Sequence, residues 1–170
     1  MNLEIIIRDV PDFPKKGIMF KDITTLLQDG EAFRLASNRM LKKYLDVRID
    51  KVLGIEARGF IFGGVLAYKL GSGFVPARKP GKLPYRTIRE EYTLEYGTNA
   101  LEVHDDSIVA GDRVLVVDDL LATGGTALAA AKLVEKLGGE VAGIEFLIEL
   151  AFLQGREKLA GYKVNSLITY

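Results

Sequence analysis

Apolar and polar residues follow one another in a pattern that changes between helical and strand periods. Between residues 31 and 47 the apolar positions recur at helical spacing, which predicts an amphipathic helix. The apolar run Lys51 to Ile55 predicts a buried strand, a helix follows from about Phe60 to Leu70, and Gly73 to Ala77 predicts the next strand. A strand, a helix and a second strand in this order indicate a βαβ unit with parallel strands.

The later part of the chain continues this alternation. Val114 to Val117 predicts the central strand, and Thr126 to Leu137 predicts the helix that follows it. Val141 to Ile148 and Lys163 to Thr169 predict the remaining strands, while Thr87 to Tyr96 alternates in the manner of a β-hairpin arm or mobile flap. We therefore predict an α/β fold in which a twisted, mainly parallel sheet is covered by helices on both faces.

Composition narrows the class of protein. The chain has 170 residues, 48% of them hydrophobic, which favours one globular domain across residues 1–170. Its 23 basic and 23 acidic residues balance, so we expect neither a nucleic-acid nor a membrane partner. The absence of cysteine excludes disulfides and thiolate chemistry. Without a signal-peptide pattern or a long apolar run, we expect a cytoplasmic location.

The segment VLVVDDLLATGGT, from Val114 to Thr126, carries the strongest chemical signal. It places Asp118 and Asp119 at the carboxyl end of a strand, where open α/β sheets bind their ligands. The turn after them offers backbone N–H groups and hydroxyls at a helix N-terminus, an arrangement that binds phosphate. An ordinary strand-to-helix connection is the alternative for an isolated acid or glycine pair. The turn consists of Ala122, Thr123, Gly124, Gly125 and Thr126.

Several other catalytic patterns are missing from the sequence. It contains no GxxxxGK[ST] phosphate loop, no GxGxxG after a strand, no GxSxG elbow and no HExxH pair. The single histidine, His104, lies beside two acids, and we expect it to be a surface residue without a catalytic role. The acids Asp118 and Asp119 beside the phosphate-binding turn instead favour a phosphorylated sugar as substrate, with carboxylates on its hydroxyls and amides on its phosphate.

The string DDLLATGGT resembles the phosphoribosyl-pyrophosphate (PRPP) motif of type I phosphoribosyltransferases, in the form typical of the adenine phosphoribosyltransferase family. The resemblance extends from about Asp12 to Glu157. It implies the type I phosphoribosyltransferase fold, with a base-binding hood in residues 1–30 and a flexible flap in residues 78–97. It also implies Mg²⁺-dependent transfer of 5-phosphoribosyl from PRPP to adenine in purine salvage, by a homodimer.

The segment DFPKKGIMFKDIT, from Asp12 to Thr24, looks like the adenine-binding segment of that family. The resemblance implies that Phe20 stacks on the purine, while Met19 and Lys21 supply flanking backbone contacts. An aromatic ring with main-chain donors and acceptors is well suited to a neutral heterocycle. Lys21 stands where the family commonly has arginine, so the positive charge is kept and the planar guanidinium group with its paired donors is lost.

The loop Glu56-Ala57-Arg58-Gly59 matches the family's pyrophosphate loop, in which the peptide bond between the first two residues is cis. Ala57 stands where serine is common. A second group of cations follows in RKPGK, ahead of the flap. Guanidinium and ammonium groups suit a departing diphosphate. The pyrophosphate-binding residues that the resemblance implies are Arg58, Arg78, Lys79 and Lys82.

In the flap sequence YTLEYG, Glu95 matches the family's glutamate that closes over the base. The resemblance implies that Glu95 acts as a general acid or base at the purine N7. It further implies that Asp118 and Asp119 bind the ribose hydroxyls, directly or through water on a Mg²⁺ ion that PRPP holds nearby. Glu95, Asp118, Asp119 and Arg58 are thus the expected catalytic residues.

Two alternatives stay open on the sequence. The acceptor could be another base, such as hypoxanthine, guanine or xanthine, although the hood segment and YTLEYG favour adenine. A PRPP-sensing regulator would keep the fold but would typically add a DNA-binding domain or a basic face, and the balanced charge argues against it. A purely structural role fits the chemical motifs least.

Overall fold

The computed structural model of the chain describes residues 1–94 and 97–170, and these form two compact units. The first unit is Met1–Arg39 and the second is Met40–Tyr170. Across the described ranges, no helix combines the length and the apolar composition that crossing a membrane requires.

Before residue 30, the first unit is built from short elements that the hydrophobic pattern did not predict. Helix α1 spans Leu3–Ile6, strands β1 (Arg8–Pro11) and β2 (Met19–Asp22) pair antiparallel, and helix α2 spans Thr24–Gln28. Each element has only four or five residues, and neither strand has a fully buried position. Such elements are too short and too exposed to show a period.

Helix α3 spans Gly30–Leu41, and a tighter 3₁₀ turn continues it to Tyr44. The Asp29 carboxylate accepts from two backbone N–H groups of the first turn at 2.9 and 3.0 Å, which satisfies donors that a helix start leaves unpaired. The prediction of a helix to residue 47 was too long. Tyr44 is fully buried, whereas Leu45 is 62% exposed because the regular helix has already ended.

The second unit contains the strands that the sequence predicted, together with a longer hairpin. In chain order these strands are β3 (Lys51–Ile55), β4 (Gly73–Ala77), β5 (Thr87–Leu94), β6 (Gly97–His104), β7 (Arg113–Leu121), β8 (Glu140–Glu149) and β9 (Val164–Thr169). Strands β3 and β4 have the predicted bounds. Helix α4 spans Gly59–Leu70, between β3 and β4, and helix α5 spans Gly125–Lys136, between β7 and β8.

Within the described residues, five strands form one parallel sheet in the order β4-β3-β7-β8-β9, with helices α4 and α5 against it. The predicted α/β class with a mainly parallel sheet is confirmed. Residues Val114 to Val117 of the central strand are completely buried. Because parallel strands share one direction, the loops after β3 and β7 emerge at the same edge of the sheet.

Strand β7 is longer than predicted. It continues past Val117 to Leu121 because Asp118 and Leu120 pair with Phe146 and Ile148 of β8. Its last residues alternate between buried and partly buried positions. The two acids therefore lie within the last part of the strand, not in the loop after it.

Strands β5 and β6 form the predicted hairpin, which pairs from Thr87 opposite His104 to Leu94 opposite Gly97. The second strand extends well beyond the predicted limit of the flap at residue 97 because the pairing continues to its end. His104, expected at the surface, is partly buried, with its ring edge-on to Tyr85 and the centroids 6.1 Å apart. Its expected lack of a catalytic role stays a prediction.

Candidate active site

Two adjacent strands bring the predicted chemical groups to one place. Strand β3 is followed by Glu56–Arg58, and its neighbour β7 carries Asp118 and Asp119 near its end. Both sets of residues line one cavity of about 270 Å³, together with Lys79 and Thr126. Residues predicted separately for pyrophosphate, ribose and phosphate binding thus surround a common space.

The two acids occupy different environments within this cavity. The Asp119 side chain is nearly buried, and its Oδ2 accepts a hydrogen bond from Nε of Arg58 at 2.6 Å. Oδ1 of Asp118 accepts from the backbone N–H of Asp119 at 2.8 Å. Burial, followed by the negative charge of Asp119, raises the pKa of the Asp118 carboxyl. Because burial and mutual repulsion oppose negative charge on both carboxyls, a cation or a sugar hydroxyl beside them would be favoured.

Gly59 allows the Arg58 loop to approach these acids. A Cβ at Gly59 would lie 2.8 Å from the carbonyl oxygen of Val117 and 2.9 Å from Oδ1 of Asp118. A side chain at this position would therefore separate the start of α4 from the end of β7. The peptide bond between Glu56 and Ala57 is cis, as the resemblance implied.

Residues Ala122–Thr126, here called the phosphate turn, join β7 to α5. Gly124 precedes the first residue of α5 in the left-handed conformation, with φ 79° and ψ −8°. The described side chains make no capping hydrogen bond there, so the first amides of the helix remain available to an anion. A second cavity of about 170 Å³ is lined by most of this turn and by Asp118.

The two glycines of the phosphate turn differ in how much room they leave for a side chain. A Cβ on Gly124 would lie 2.3 Å from the backbone oxygen of Gly155, and the positive φ also disfavours a side chain. A Cβ on Gly125 would make ordinary contacts of 3.5 Å with the oxygen of Thr93 and the ring of Tyr92. A conformation that favours glycine is therefore found at Gly124 and not at Gly125.

The predicted pyrophosphate-binding residues Arg58, Arg78, Lys79 and Lys82 are here called the cation cluster. The last three contact Glu56, an acid for which the sequence predicted no role. Glu56 accepts from Nζ of Lys82 at 2.7 Å, from the backbone N–H of Lys79 at 3.0 Å and from Nε of Arg78 at 3.3 Å. Burial acts to raise its pKa, but these hydrogen bonds outweigh it and lower the pKa of Glu56 to about 2. Glu56 stands directly after β3, in the same loop as Arg58. This position is the sequence signal that could have identified it.

The predicted adenine-binding residues lie together on the first unit's hairpin. Met19, Phe20 and Lys21 are successive residues of β2, and Nζ of Lys21 pairs with Asp9 at 2.6 Å. The Phe20 ring meets Phe13 edge-on, with centroids 5.1 Å apart. Both rings line a cavity of about 270 Å³, which gives Phe20 an aromatic partner and an open side.

Glu95, the predicted acid or base of the flap, lies outside the described residues. Tyr92, in strand β5, lines the cavity that contains Asp118 and Asp119. The stem of the hairpin therefore reaches the site.

The carboxylates of the site fit a magnesium ion whose other ligands come from the substrate and from water. Among residues 1–94 and 97–170, no group of three or more Asp, Glu or His side chains could enclose a metal. Asp118 and Asp119 offer two neighbouring carboxylates, and Mg²⁺ is commonly bound by one or two carboxylates with phosphate oxygens and water completing its shell.

Comparisons with known proteins agree with this geometry. The phosphoribosyl transferase domain model matches residues 24–166. The adenine phosphoribosyltransferase of Alkaliphilus metalliredigens is 61% identical over 170 residues, which cover 100% of both chains.

Solved structures extend the likeness to three dimensions. The adenine phosphoribosyltransferase of Thermoanaerobacter pseudethanolicus is 58% identical, with a TM-score of 0.94 over 99% of this chain and 98% of that chain. The Trypanosoma brucei enzyme, solved with AMP, pyrophosphate and ribose-5-phosphate, is 27% identical, with a TM-score of 0.89 over 98% of this chain and 78% of that chain.

Proposed function

The chain belongs to the adenine phosphoribosyltransferase family, and from that premise we propose how its own residues carry out the reaction. The 5-phosphoribosyl group of PRPP is transferred to N9 of adenine, giving AMP and pyrophosphate, a reaction of purine salvage. The bond between C1′ and the pyrophosphate oxygen breaks largely before the bond from N9 forms, so positive charge develops on the ribose ring. The site must therefore stabilise an anionic leaving group and a cationic sugar.

The phosphate turn holds the 5′-phosphate. Its amides at the start of α5 carry the positive end of the helix dipole, and the hydroxyls of Thr123 and Thr126 supply further donors. This contact is remote from C1′, so its binding energy serves to position the reacting carbon.

Asp118 and Asp119 bind the ribose hydroxyls and favour the charge that develops on the sugar. Their support comes from the cavity that they share with Arg58 and with Thr126 of the phosphate turn. In the described structure Asp119 is paired with Arg58, so one carboxylate already has a cation beside it. Fixed charges of this kind stabilise a transition state without reorganising during the reaction.

The cation cluster receives the pyrophosphate. Arg78 and Lys82 currently pair with Glu56, and Arg58 pairs with Asp119, so binding PRPP exchanges these carboxylate partners for diphosphate oxygens. Mg²⁺, when bound with PRPP beside Asp118 and Asp119, supplies positive charge to the diphosphate and the ribose hydroxyls. Neutralising the leaving group in this way lowers the barrier to its departure.

The hairpin of the first unit recognises adenine. Phe20 stacks on the purine, and the backbone of Met19 and Lys21 contacts its edge, a role supported by the open cavity beside the Phe13 and Phe20 rings. Glu95 exchanges a proton or forms a hydrogen bond at N7.

The observation that carries this proposal is the single cavity shared by Arg58, Asp118, Asp119 and Thr126 in a chain with full-length relatives of this family. The test is a steady-state assay with PRPP, Mg²⁺ and each of adenine, hypoxanthine, guanine and xanthine. AMP from adenine alone is the expected result. Turnover of another base would overturn the assignment of Phe20, and PRPP binding without any turnover would favour a PRPP-sensing regulator.

A homodimer and a cytoplasmic location complete the proposal. Helix α4 is apolar on nearly all sides, and it leaves Ile61 39% and Tyr68 84% exposed. A helix of this kind is normally covered, and a second copy of the chain would cover it. Light scattering should give a dimer mass for the wild type and a lower mass for Tyr68→Glu, while Arg48→Glu should keep the dimer.

A further inference from the structure

The phosphate turn contacts the start of a short 3₁₀ helix, Gly155–Leu159, which lies between β8 and β9 and is here called the Gly155 segment. None of the roles above includes it. Gly155 is buried, and a Cβ placed on it would lie 2.0 Å from the carbonyl oxygen of Ala122 and 2.8 Å from the backbone nitrogen of Gly124. In the reverse direction, a Cβ placed on Gly124 would lie 2.3 Å from the Gly155 oxygen. Two glycines therefore face each other, and neither position has room for a side chain.

The residue next to Gly155 ties this segment to the sheet. Arg156 donates from Nε to Oε1 of Glu149 at 2.9 Å and from Nη2 to the other carboxylate oxygen of Glu149. It also donates from Nη1 to the backbone oxygen of Val164 at 2.8 Å and from Nη2 to Oγ of Ser166 at 3.2 Å. One guanidinium group thus joins the Gly155 segment to both β8 and β9.

The partner carboxylate is itself held in place. The Glu149 side chain is 8% exposed, and its Oε2 also accepts from Oγ of Ser166 at 2.7 Å. The hydrogen bond from Arg156 is the main reason that the pKa of Glu149 is lowered, so the pair remains ionised around neutral pH. Just before the segment, the N–H of Leu150 donates to the oxygen of Leu121, the last residue of β7, at 2.9 Å.

We propose that Gly155 and Arg156 are positioning residues that fix the phosphate turn in the shape that binds the 5′-phosphate of PRPP. This inference rests on the proposed function of that turn. Arg156 holds the segment against the sheet, and the backbone of Gly155 then sets the position of Gly124, where the amides of α5 begin. Anion-binding amides must be held within about 0.5 Å, so a small displacement of the segment weakens phosphate binding.

The first test compares Arg156→Ala and Arg156→Lys with Arg48→Ala, which removes an exposed arginine paired with Asp50 before β3. We expect Arg156→Ala to raise the KM for PRPP about 10-fold, with kcat within about 3-fold and the KM for adenine unchanged. Arg156→Lys keeps the charge without the fork, so its KM should lie between those of Arg156→Ala and the wild type. Both a structural and a positioning role predict a lower Tm, because the buried Glu149 loses its partner. A purely structural role would instead change the KM for PRPP and the KM for adenine together, and that outcome would overturn the proposal.

The second test uses Gly155→Ala, with Gly73→Ala as its matched control. The added methyl group at Gly155 meets rigid backbone, whereas the one at Gly73 meets the flexible side chain of Lys51 at 3.0 Å. Calorimetry with ribose 5-phosphate should show about 10-fold weaker binding for Gly155→Ala and wild-type binding for Gly73→Ala. Equal affinities in a folded Gly155→Ala protein would overturn the proposal, and Arg156→Lys provides the same binding test if Gly155→Ala does not fold.

The binding measurement also separates this proposal from the proposed function. A wild-type protein that binds ribose 5-phosphate but turns over no base would refute the transfer reaction, and weaker binding by Arg156→Ala would still support positioning. A wild-type protein that turns over adenine, with unchanged PRPP kinetics in both Arg156 variants, would refute positioning alone.

Discussion

The phosphate turn and the cation cluster bind similar groups in opposite ways. The phosphate turn is made of backbone, with Gly124 in a left-handed conformation against Gly155 and no described side chain capping α5. The cation cluster is made of long side chains, and three of its cations already have carboxylate partners in Glu56 and Asp119. One region is ready for its anion, and the other must first exchange partners.

This difference shows how one substrate can be held firmly at one end and released at the other. Backbone amides in a fixed turn lose little conformational freedom when they bind a phosphate. Side chains that exchange a carboxylate for a diphosphate gain only the difference between two ion pairs. We therefore expect the 5′-phosphate to anchor the sugar through the reaction, while the diphosphate is free to leave.

The largest expected effect comes from giving the phosphate turn a side chain. Gly124→Ala combines a positive φ with a Cβ 2.3 Å from the Gly155 oxygen, so the turn must change shape. We expect the KM for PRPP to rise by more than about 10³-fold, measured by steady-state kinetics. Gly125→Ala, with contacts at 3.5 Å, is the matched variant and should have a much smaller effect. Equal effects of the two changes would contradict a backbone-defined cradle.

Asp118 lines both the cavity of the phosphate turn and the cavity that contains Arg58. Its replacement should lower activity while raising stability. Asp118→Asn should lower kcat/KM about 10²–10³-fold, because a fixed negative charge near the sugar is lost. The pKa of Asp118 in the folded protein lies above its ordinary value of 3.8. Above pH 3.8 the carboxyl therefore ionises more readily in the unfolded chain, which lowers the free energy of unfolding, and below pH 3.8 this effect disappears. Asp118→Asn should therefore raise Tm at pH 7 and lose this advantage below pH 3.8. A lower Tm at pH 7 would contradict the raised pKa.

Arg58 tests whether the cation cluster depends on geometry as well as charge. Arg58→Lys should reduce kcat/KM about 10-fold, because an ammonium group cannot reproduce a planar fork toward Asp119 or a diphosphate. Arg58→Ala should reduce it further and also lower Tm, since Asp119 is only 6% exposed and would lose this partner. Arg48→Lys, at an exposed pair, should match the wild type. Full activity in Arg58→Lys would reduce the role of Arg58 to charge alone.

The smallest effect concerns the internal partner of the cation cluster. The pKa of Glu56 is about 2 in the folded protein, below its ordinary value of 4.5. Its stabilising effect is therefore complete above pH 4.5 and is lost as the pH falls to about 2. Glu56→Gln should lower Tm at pH 7 by about 2–4 °C, the shift expected for 1 kcal/mol in a chain of this size. Melting curves of the two proteins should converge near pH 2, and a constant gap would contradict the assignment.

The sequence could predict the parts of the molecule that depend on local pattern. Strands β3 and β4 were found with the predicted bounds because buried parallel strands are short apolar runs with clear ends. The resemblance placed Arg58, Asp118 and Asp119 in one site, and the structure brings them to one cavity. The parts that could not be predicted depend on contacts between distant residues. Examples are the extension of β7 by pairing with β8 and the meeting of Gly155 with Gly124.

The facing glycines have a consequence for any effort to diversify this enzyme. Since each glycine is required by the backbone of the other, a library that varies one position at a time will record both as intolerant. Substitutions there become accessible only in combinations that also lengthen or reshape the segment, an epistatic constraint that no single-site scan reveals. Libraries aimed at new sugar phosphates should therefore vary the Gly155 segment and the phosphate turn as one block.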